Sequence, residues 1–180
     1  MQKWKVLDSK YIIQRPWATL RVDKLEMSNG HIKEEYYVLE YPKWVNMVGI
    51  TKENTILFVR QYRHGAGEVL VELPAGVVEE GEEPELAARR ELLEETGYAF
   101  QDIQYVCTLF ANPATSGNPT YTYILTGGEK VQEQELDASE DIEVVEMTLE
   151  EAKAFLLANK IGQALHSAAL FYSFNKLGLL

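Results

Sequence analysis

The stretch that decides the fold is Gly76-Val77-Val78-Glu79-Glu80-Gly81-Glu82-Glu83-Pro84-Glu85-Leu86-Ala87-Ala88-Arg89-Arg90-Glu91-Leu92-Leu93-Glu94-Glu95-Thr96-Gly97-Tyr98. Pro84 suits the first turn of a helix and Gly97 suits the position just past its end, so a helix is predicted over Pro84–Thr96. A helix turns about 100° per residue. With Leu86 at zero, Ala88, Leu92, Arg89 and Leu93 fall on one side. Glu94, Ala87, Glu91 and Glu95 fall within an arc of about 100° on the other. Three carboxylates then share one face, with only the methyl of Ala87 beside them. Like charges at such spacing cost a few tenths of a kcal/mol per exposed pair. Two readings follow: a solvated acidic face, or a set of hard oxygen ligands for Mg²⁺ or Mn²⁺. The helix by itself does not choose between them.

Working outward, the residues before Gly76 read as strands. Trp17–Asp23 and Glu35–Tyr41 form a hairpin about the turn Ser28-Asn29-Gly30-His31. Val45–Ile50 and Thr55–Arg63 flank the turn Lys52-Glu53-Asn54. The apolar run Ile56–Val59 predicts a strand covered on both faces. Val69–Pro74 is a further short strand. Beyond the helix, strands are predicted at Gln104–Phe110, Thr120–Thr126 and Ile142–Met147. Ala111–Pro119 is loop-like, and Gly127–Asp141 is polar and acidic with room for one short strand. Thr148-Leu149-Glu150-Glu151 is a capping box opening a helix to about Asn159, and a last helix spans about Gly162–Lys176. The mixture without strict alternation predicts an α/β fold with a mixed sheet flanked by helices.

Whole-chain properties exclude several functions. The 180 residues suit a single domain with a small appended element. The hydrophobic share of 46% and charged share of 25% are those of a soluble globular protein. No apolar run approaches the roughly 20 residues that span a bilayer. Met1-Gln2-Lys3-Trp4-Lys5 lacks the apolar core of a secretory signal. With a single cysteine, Cys107, no intrachain disulfide forms, which fits a cytoplasmic location. The net charge of −11, without any basic run, argues against nucleic acid and anionic membranes as partners. A phosphate ester would need a cation to bridge it to so acidic a protein. His31, His64 and His166 show no ligand spacing.

The order Gly, five residues, Glu, seven residues, Arg-Glu-Leu, one residue, Glu-Glu, one residue, Gly resembles the signature box of the Nudix hydrolases position by position. Only Tyr98 departs, standing where the family usually has an aliphatic residue. The resemblance implies an α/β/α sandwich in which a strand, loop and helix carry the metals, with an N-terminal antiparallel strand region. Glu91, Glu94 and Glu95 then look like ligands for two or more Mg²⁺ ions, Mn²⁺ being an alternative, with the Ala75 carbonyl as an extra ligand. Glu82 and Arg90 look like braces between loop and helix, and Gly76 like the tight turn beside the metal.

The flanks are similar to the ADP-ribose pyrophosphatase branch, which also hydrolyses other nucleotide sugars. Leu73-Pro74-Ala75-Gly76 precedes the box and Asn112-Pro113-Ala114-Thr115-Ser116 follows it, with Pro113 near the branch's proline past the box. Arg60, Arg63 and Glu72 fall where the branch binds substrate. Arg63 suits forked contact with a phosphate, and Trp17 suits stacking on a base. A surface arginine and a core or interface tryptophan are the plainer alternatives. Tyr36 is a weaker candidate than Trp17. By the same resemblance residues 1–44 are a dimerisation region and residues 45–180 the hydrolase domain, so a homodimer is expected. A glutamate of the late loop Glu135–Asp141 is implied as catalytic base. Glu140 is chosen because Glu140-Asp141-Ile142 resembles the loop's end, with Glu135 and Asp141 as alternatives. Some members carry an acid where this chain has Ala138, which leaves open whether Glu140 acts as base, as metal ligand or as neither. Glu94 and Glu95 are counted with it as catalytic.

The expected reaction is metal-assisted hydrolysis of the diphosphate of ADP-ribose, or of a related nucleoside diphosphate sugar, to a nucleoside monophosphate and a sugar phosphate. The alternatives are a GDP-mannose or ADP-glucose hydrolase of the same family and a non-catalytic nucleotide-sugar-binding domain that regulates a partner.

Overall fold

A computed structural model describes residues 2–180. Two compact units emerge, one of Met1–Pro42 with Phe110–Pro119 and one of Lys43–Leu109 with Thr120–Leu180.

The first unit holds an antiparallel sheet of three strands in sequential order: β1 (Lys5–Arg15), β2 (Ala18–Glu26) and β3 (Ile32–Glu40). The hairpin read from the sequence is β2–β3, and β1 is a third strand that the sequence reading did not delimit. Every residue of β1 is exposed, so no buried alternation marks it. Asp23 on β2 is buried and ion-paired with Arg21. Burial alone would raise its pKa. The hydrogen bonds from Arg21 and Ser9 outweigh that and hold its carboxyl below the usual value. The segment Phe110–Pro119 joins this unit through Leu39 N–H donating to Thr115 O at 2.7 Å.

The second unit is an α/β/α sandwich. Its strands are β4 (Trp44–Thr51), β5 (Thr55–Arg63), β6 (Glu68–Glu72), β7 (Ala75–Val77), β8 (Tyr98–Ala99), β9 (Asp102–Phe110), β10 (Pro119–Lys130) and β11 (Ile142–Thr148). Its helices are α1 (Pro84–Thr96), α2 (Leu149–Leu157) and α3 (Ala164–Leu177). The sheet runs β11-β5-β4-β10-β8, with β6 beside β5, β7 beside β4 and β9 beside β10. It is mixed: β4 and β10 pair in parallel, whereas β4–β7, β5–β6 and β5–β11 are antiparallel. Alternate residues face opposite layers. On β4, Val45 and Met47 pack with Ala87, Ala88 and Leu92 of α1. Val48 and Ile50 pack with Ala152 of α2 and with Ala169, Leu170 and Phe174 of α3. Truncating a fully buried side chain such as Leu92 to alanine is expected to cost about 2–5 kcal/mol.

Most boundaries lie close to those read from the sequence, and α1 has the predicted ends. Besides β1, the short strands β7 and β8 were not read from the sequence, and β10 continues to Lys130 instead of stopping near Thr126. Gly127, at φ 71°, interrupts the register between Thr126 and Gly128, so the strand bends there without ending. No helix among the described residues is long and apolar enough to cross a membrane.

Candidate active site

The site is built on β7, the following loop and α1. β7 pairs with β4 through Trp44↔Val77, Val45↔Gly76 and Asn46↔Ala75. Two further contacts fix the chain just before it. Met47 N–H donates to Pro74 O at 3.0 Å, and Leu73 N–H donates to His166 Nδ1 at 3.2 Å. His166 was a histidine of no evident use in the sequence. In the fold it sits buried on α3, and accepting that bond requires its neutral form. Burial, helped by the charge of Arg63, pushes its pKa down to about 3.

The glutamate face of α1 turns inward against this strand. Glu95 is 4% exposed, which rules out a solvated acidic face at that residue. Its Oε2 accepts from Ala75 N–H at 3.1 Å. Gly76 lies flush against Glu91: a Cβ built there would meet Glu91 Cδ at 1.9 Å. No residue with a side chain fits that position without displacing the carboxylate. Burial raises the pKa of Glu91, with added repulsion from Glu94 and Glu140. Burial raises Glu95 well above the usual range, and Glu91 and Glu140 push the same way.

Arg90 answers part of this charge. It forks onto Glu82 through Nε to Oε1 at 3.0 Å and Nη2 to Oε2 at 2.9 Å. It also donates to Glu91, Glu94 and Val77 O. Glu82 in turn accepts from Glu79 N–H, so the loop between β7 and α1 is tied to the helix. The Arg90 bond depresses the Glu82 pKa, and Glu82 foremost raises that of Arg90.

A second group of predicted residues lies on β5 and β6. Glu72 is fully buried, and its Oε2 accepts from Arg63 Nε at 3.0 Å and Nη2 at 2.7 Å. Its Oε1 is buried without a partner. Arg60 points elsewhere and pairs in a fork with Glu143 of β11. Of the late-loop acids, Glu140 Oε2 accepts from Asp137 N–H at 2.9 Å and is exposed. Trp17 lies in the turn between β1 and β2 of the first unit and is 69% exposed. Pro113 is exposed in the segment Phe110–Pro119. Tyr36 donates to Ala114 O.

Among the described residues no three His, Cys, Asp or Glu side chains converge closely enough to enclose an ion. Glu91 and Glu94 are instead drawn to the Arg90 guanidinium. The donor set nevertheless fits a hard divalent cation. It offers carboxylate oxygens on a rigid helix, a backbone strand held against them, and mutual repulsion that a cation would relieve.

The NUDIX domain family model matches residues 41–167, and the chain belongs to the Nudix family of hydrolases. Residues 4–39 match a second model, the nucleoside diphosphate sugar hydrolase N-terminal domain. The chain is 32% identical over 158 residues to the methanol dehydrogenase activator of Bacillus methanolicus, covering 87% of this chain and 85% of that one. It is 30% identical over 169 residues to the ADP-ribose pyrophosphatase of Bacillus subtilis, covering 93% and 91%. The crystal structure of an ADP compounds hydrolase superposes with a TM-score of 0.86 over 100% of this chain and 98% of that one, at 22% identity, so it speaks for the fold alone.

Proposed function

We propose that the protein is a divalent-metal-dependent hydrolase that cleaves the diphosphate of ADP-ribose, or of a related nucleoside diphosphate sugar, to a nucleoside monophosphate and a sugar phosphate. The observation that carries this reading is the inward-facing glutamate row, with Glu95 buried against Ala75 and Glu91 against Gly76. Burial of like charges without full internal pairing favours a bound cation. The relationship to the Bacillus subtilis ADP-ribose pyrophosphatase supports the substrate class.

In this reading Glu91, Glu94, Glu95 and the Ala75 carbonyl hold the metal, Mg²⁺ or Mn²⁺. When bound, the metal offsets the charge of the diphosphate and lowers the pKa of the attacking water. Glu140 takes the proton of that water. Glu72 holds Arg63 by Nε and Nη2, which leaves Nη1 to meet a phosphate oxygen. Arg90 and Glu82 keep the loop and helix in register throughout. Residues 1–44 pair two copies of the chain, a role supported by the exposed apolar side chains of β1, among them Val6, Tyr11, Ile12 and Ile13. The exposed ring of Trp17 offers a surface on which a base could stack.

The test is a panel of nucleoside diphosphate sugars incubated with Mg²⁺ or with a chelator, with released monophosphate measured. Metal-dependent turnover strongest on ADP-ribose is expected. The relative named methanol dehydrogenase activator favours a second reading, in which the domain acts on a partner enzyme. Absence of turnover on every member of the panel would leave only that one standing.

A further inference from the structure

Outside the site already described stand the exposed aromatics of α3, the buried unpartnered side chains of Asn46 and Thr122, and the joint where α1 ends. Nothing shows what would cover the first, and the second pair is buried.

The carbonyls at the end of a helix have no partner within it. Here Leu93 O accepts from Gly97 N–H of the cap itself, and one passing segment meets others: Glu135 N–H donates to Glu94 O at 2.9 Å and Val131 N–H to Gly97 O at 2.9 Å. A Cβ at Gly97 would lie 2.2 Å from Gln132 O, so the segment passes as closely as a backbone can. Glu95 O is the exception in kind: a side chain serves it. Gln134 Nε2 donates to Glu95 O at 2.7 Å and also to Ile142 O at 3.1 Å. A primary amide has two N–H donors, and both are in use.

Those two carbonyls mark the two sides of a joint. Glu95 belongs to the helix of metal glutamates, and Ile142 is where the loop Glu135–Asp141 re-enters the sheet. Gln134 itself is where that loop begins. One amide therefore closes the loop into a ring and fastens the ring to the helix. Inside the ring Glu140 is held in turn: its N–H donates to Asp137 O and its Oε2 accepts from Asp137 N–H, both at 2.9 Å.

We propose that Gln134 is a positioning residue that sets the distance of Glu140 from the glutamates of α1. The inference rests on the role given to Glu140 above. An exposed loop of seven residues would otherwise sample many conformations, and the proton acceptor would be in place only part of the time. Gln134 touches no substrate and acts through the loop it closes. Its side chain also borders an open hollow of about 450 Å³, lined in part by Thr96, Tyr98 and Lys130, so a replacement of similar length is accommodated without a clash.

The experiment uses the full chain with Gln134→Met, Glu140→Gln and the double substitution. Methionine keeps the length and removes both donors. In the metal-free protein, hydrogen exchange of the amides in 135–141 should rise about tenfold in Gln134→Met, while exchange in the sheet stays as it was. With Mg²⁺ and the sugar nucleotide that is turned over, kcat should fall about tenfold and KM should stay within about twofold. On the Glu140→Gln background Gln134→Met should add almost nothing, because both changes remove the same contribution. If the methionine variant does not unfold cooperatively, Gln134→Asn, which keeps the amide but shortens its reach, is read in the same way. Unchanged exchange in 135–141, or a loss in kcat that adds in full to that of Glu140→Gln, overturns the inference alone. Wild-type kcat in Glu140→Gln overturns the role of Glu140 and the inference with it.

Discussion

Two acidic stretches, Glu79–Glu95 and Glu133–Asp141, are similar in composition, with roughly half of the residues acidic in each. The fold treats them in opposite ways. In the first, Glu95 is buried, Glu91 is pressed on a glycine, and Glu82, Glu91 and Glu94 share Arg90. In the second, Glu133, Glu135, Asp137, Glu140 and Asp141 are exposed. No arginine pairs with them among the described residues, and only Lys130 meets Glu133. Acid content is therefore a poor guide to a site. What distinguishes the first stretch is that burial makes its charges expensive, so that something must offset them. In the second, water offsets the charge at little cost, and any role depends on where the backbone puts a single carboxylate.

The largest expected effect comes from removing the buried charge. Glu95→Gln should reduce turnover by about 10²–10³-fold, the scale of losing a preorganised electrostatic contact. Its effect on the metal-free protein should have the opposite sense. The folded state holds Glu95 well above its usual pKa, so it binds a proton more tightly than the unfolded chain does. The stability linked to that proton is complete below the usual carboxylate value of 4.5 and is lost as pH rises through the raised one. At pH 8 metal-free Glu95→Gln should therefore melt above the wild type. Mg²⁺ should raise the melting temperature of the wild type and do so much less in the variant. A variant that melts lower than the wild type at pH 8 without metal would show that Glu95 is not under charge stress.

Next in size is Arg90→Lys. Lysine keeps the charge but loses the fork that reaches Glu82 with two nitrogens while also touching Glu91, Glu94 and Val77 O. Activity should fall about 10–100-fold, as when a residue that orients metal ligands is lost. Stability should fall by about 1–3 kcal/mol, measured by denaturant unfolding. Equal activity in the two proteins would mean that charge alone braces the loop.

How far the sequence foretold this follows the same division. The Nudix family, the sandwich and the ends of α1 were legible because the Gly76–Tyr98 spacing is fixed at many positions and because proline and glycine mark helix ends chemically. Which side of α1 faces inward was legible only in part. Ala88 and Leu92 are buried as hydrophobicity dictates, but Leu86 is exposed and Glu95 is buried, because the tertiary neighbours Ala75 and Gly76 draw the carboxylate in. His166 and Gln134 were invisible for a related reason. Each uses one polar side chain to serve backbone groups far off in the chain, at Leu73 or at Glu95, and no local pattern records such a contact. β1 escaped delimitation because full exposure leaves no alternation to read.

The smallest expected effect tests the exposed side of the comparison. Glu133 stands close to Lys130 at 3.1 Å, but its side chain is 91% exposed. An ion pair in water gains little, since solvent screens it and two long side chains must be held still. Glu133→Gln should change stability by less than about 0.5 kcal/mol and leave turnover within about twofold. Removing one negative charge from a row of five also relieves repulsion, so the two small terms oppose each other. A destabilisation above about 1 kcal/mol would mean that Lys130 anchors the segment that caps α1. The second stretch would then be fastened by charge as the first is, and the contrast between them would reduce to degree of burial.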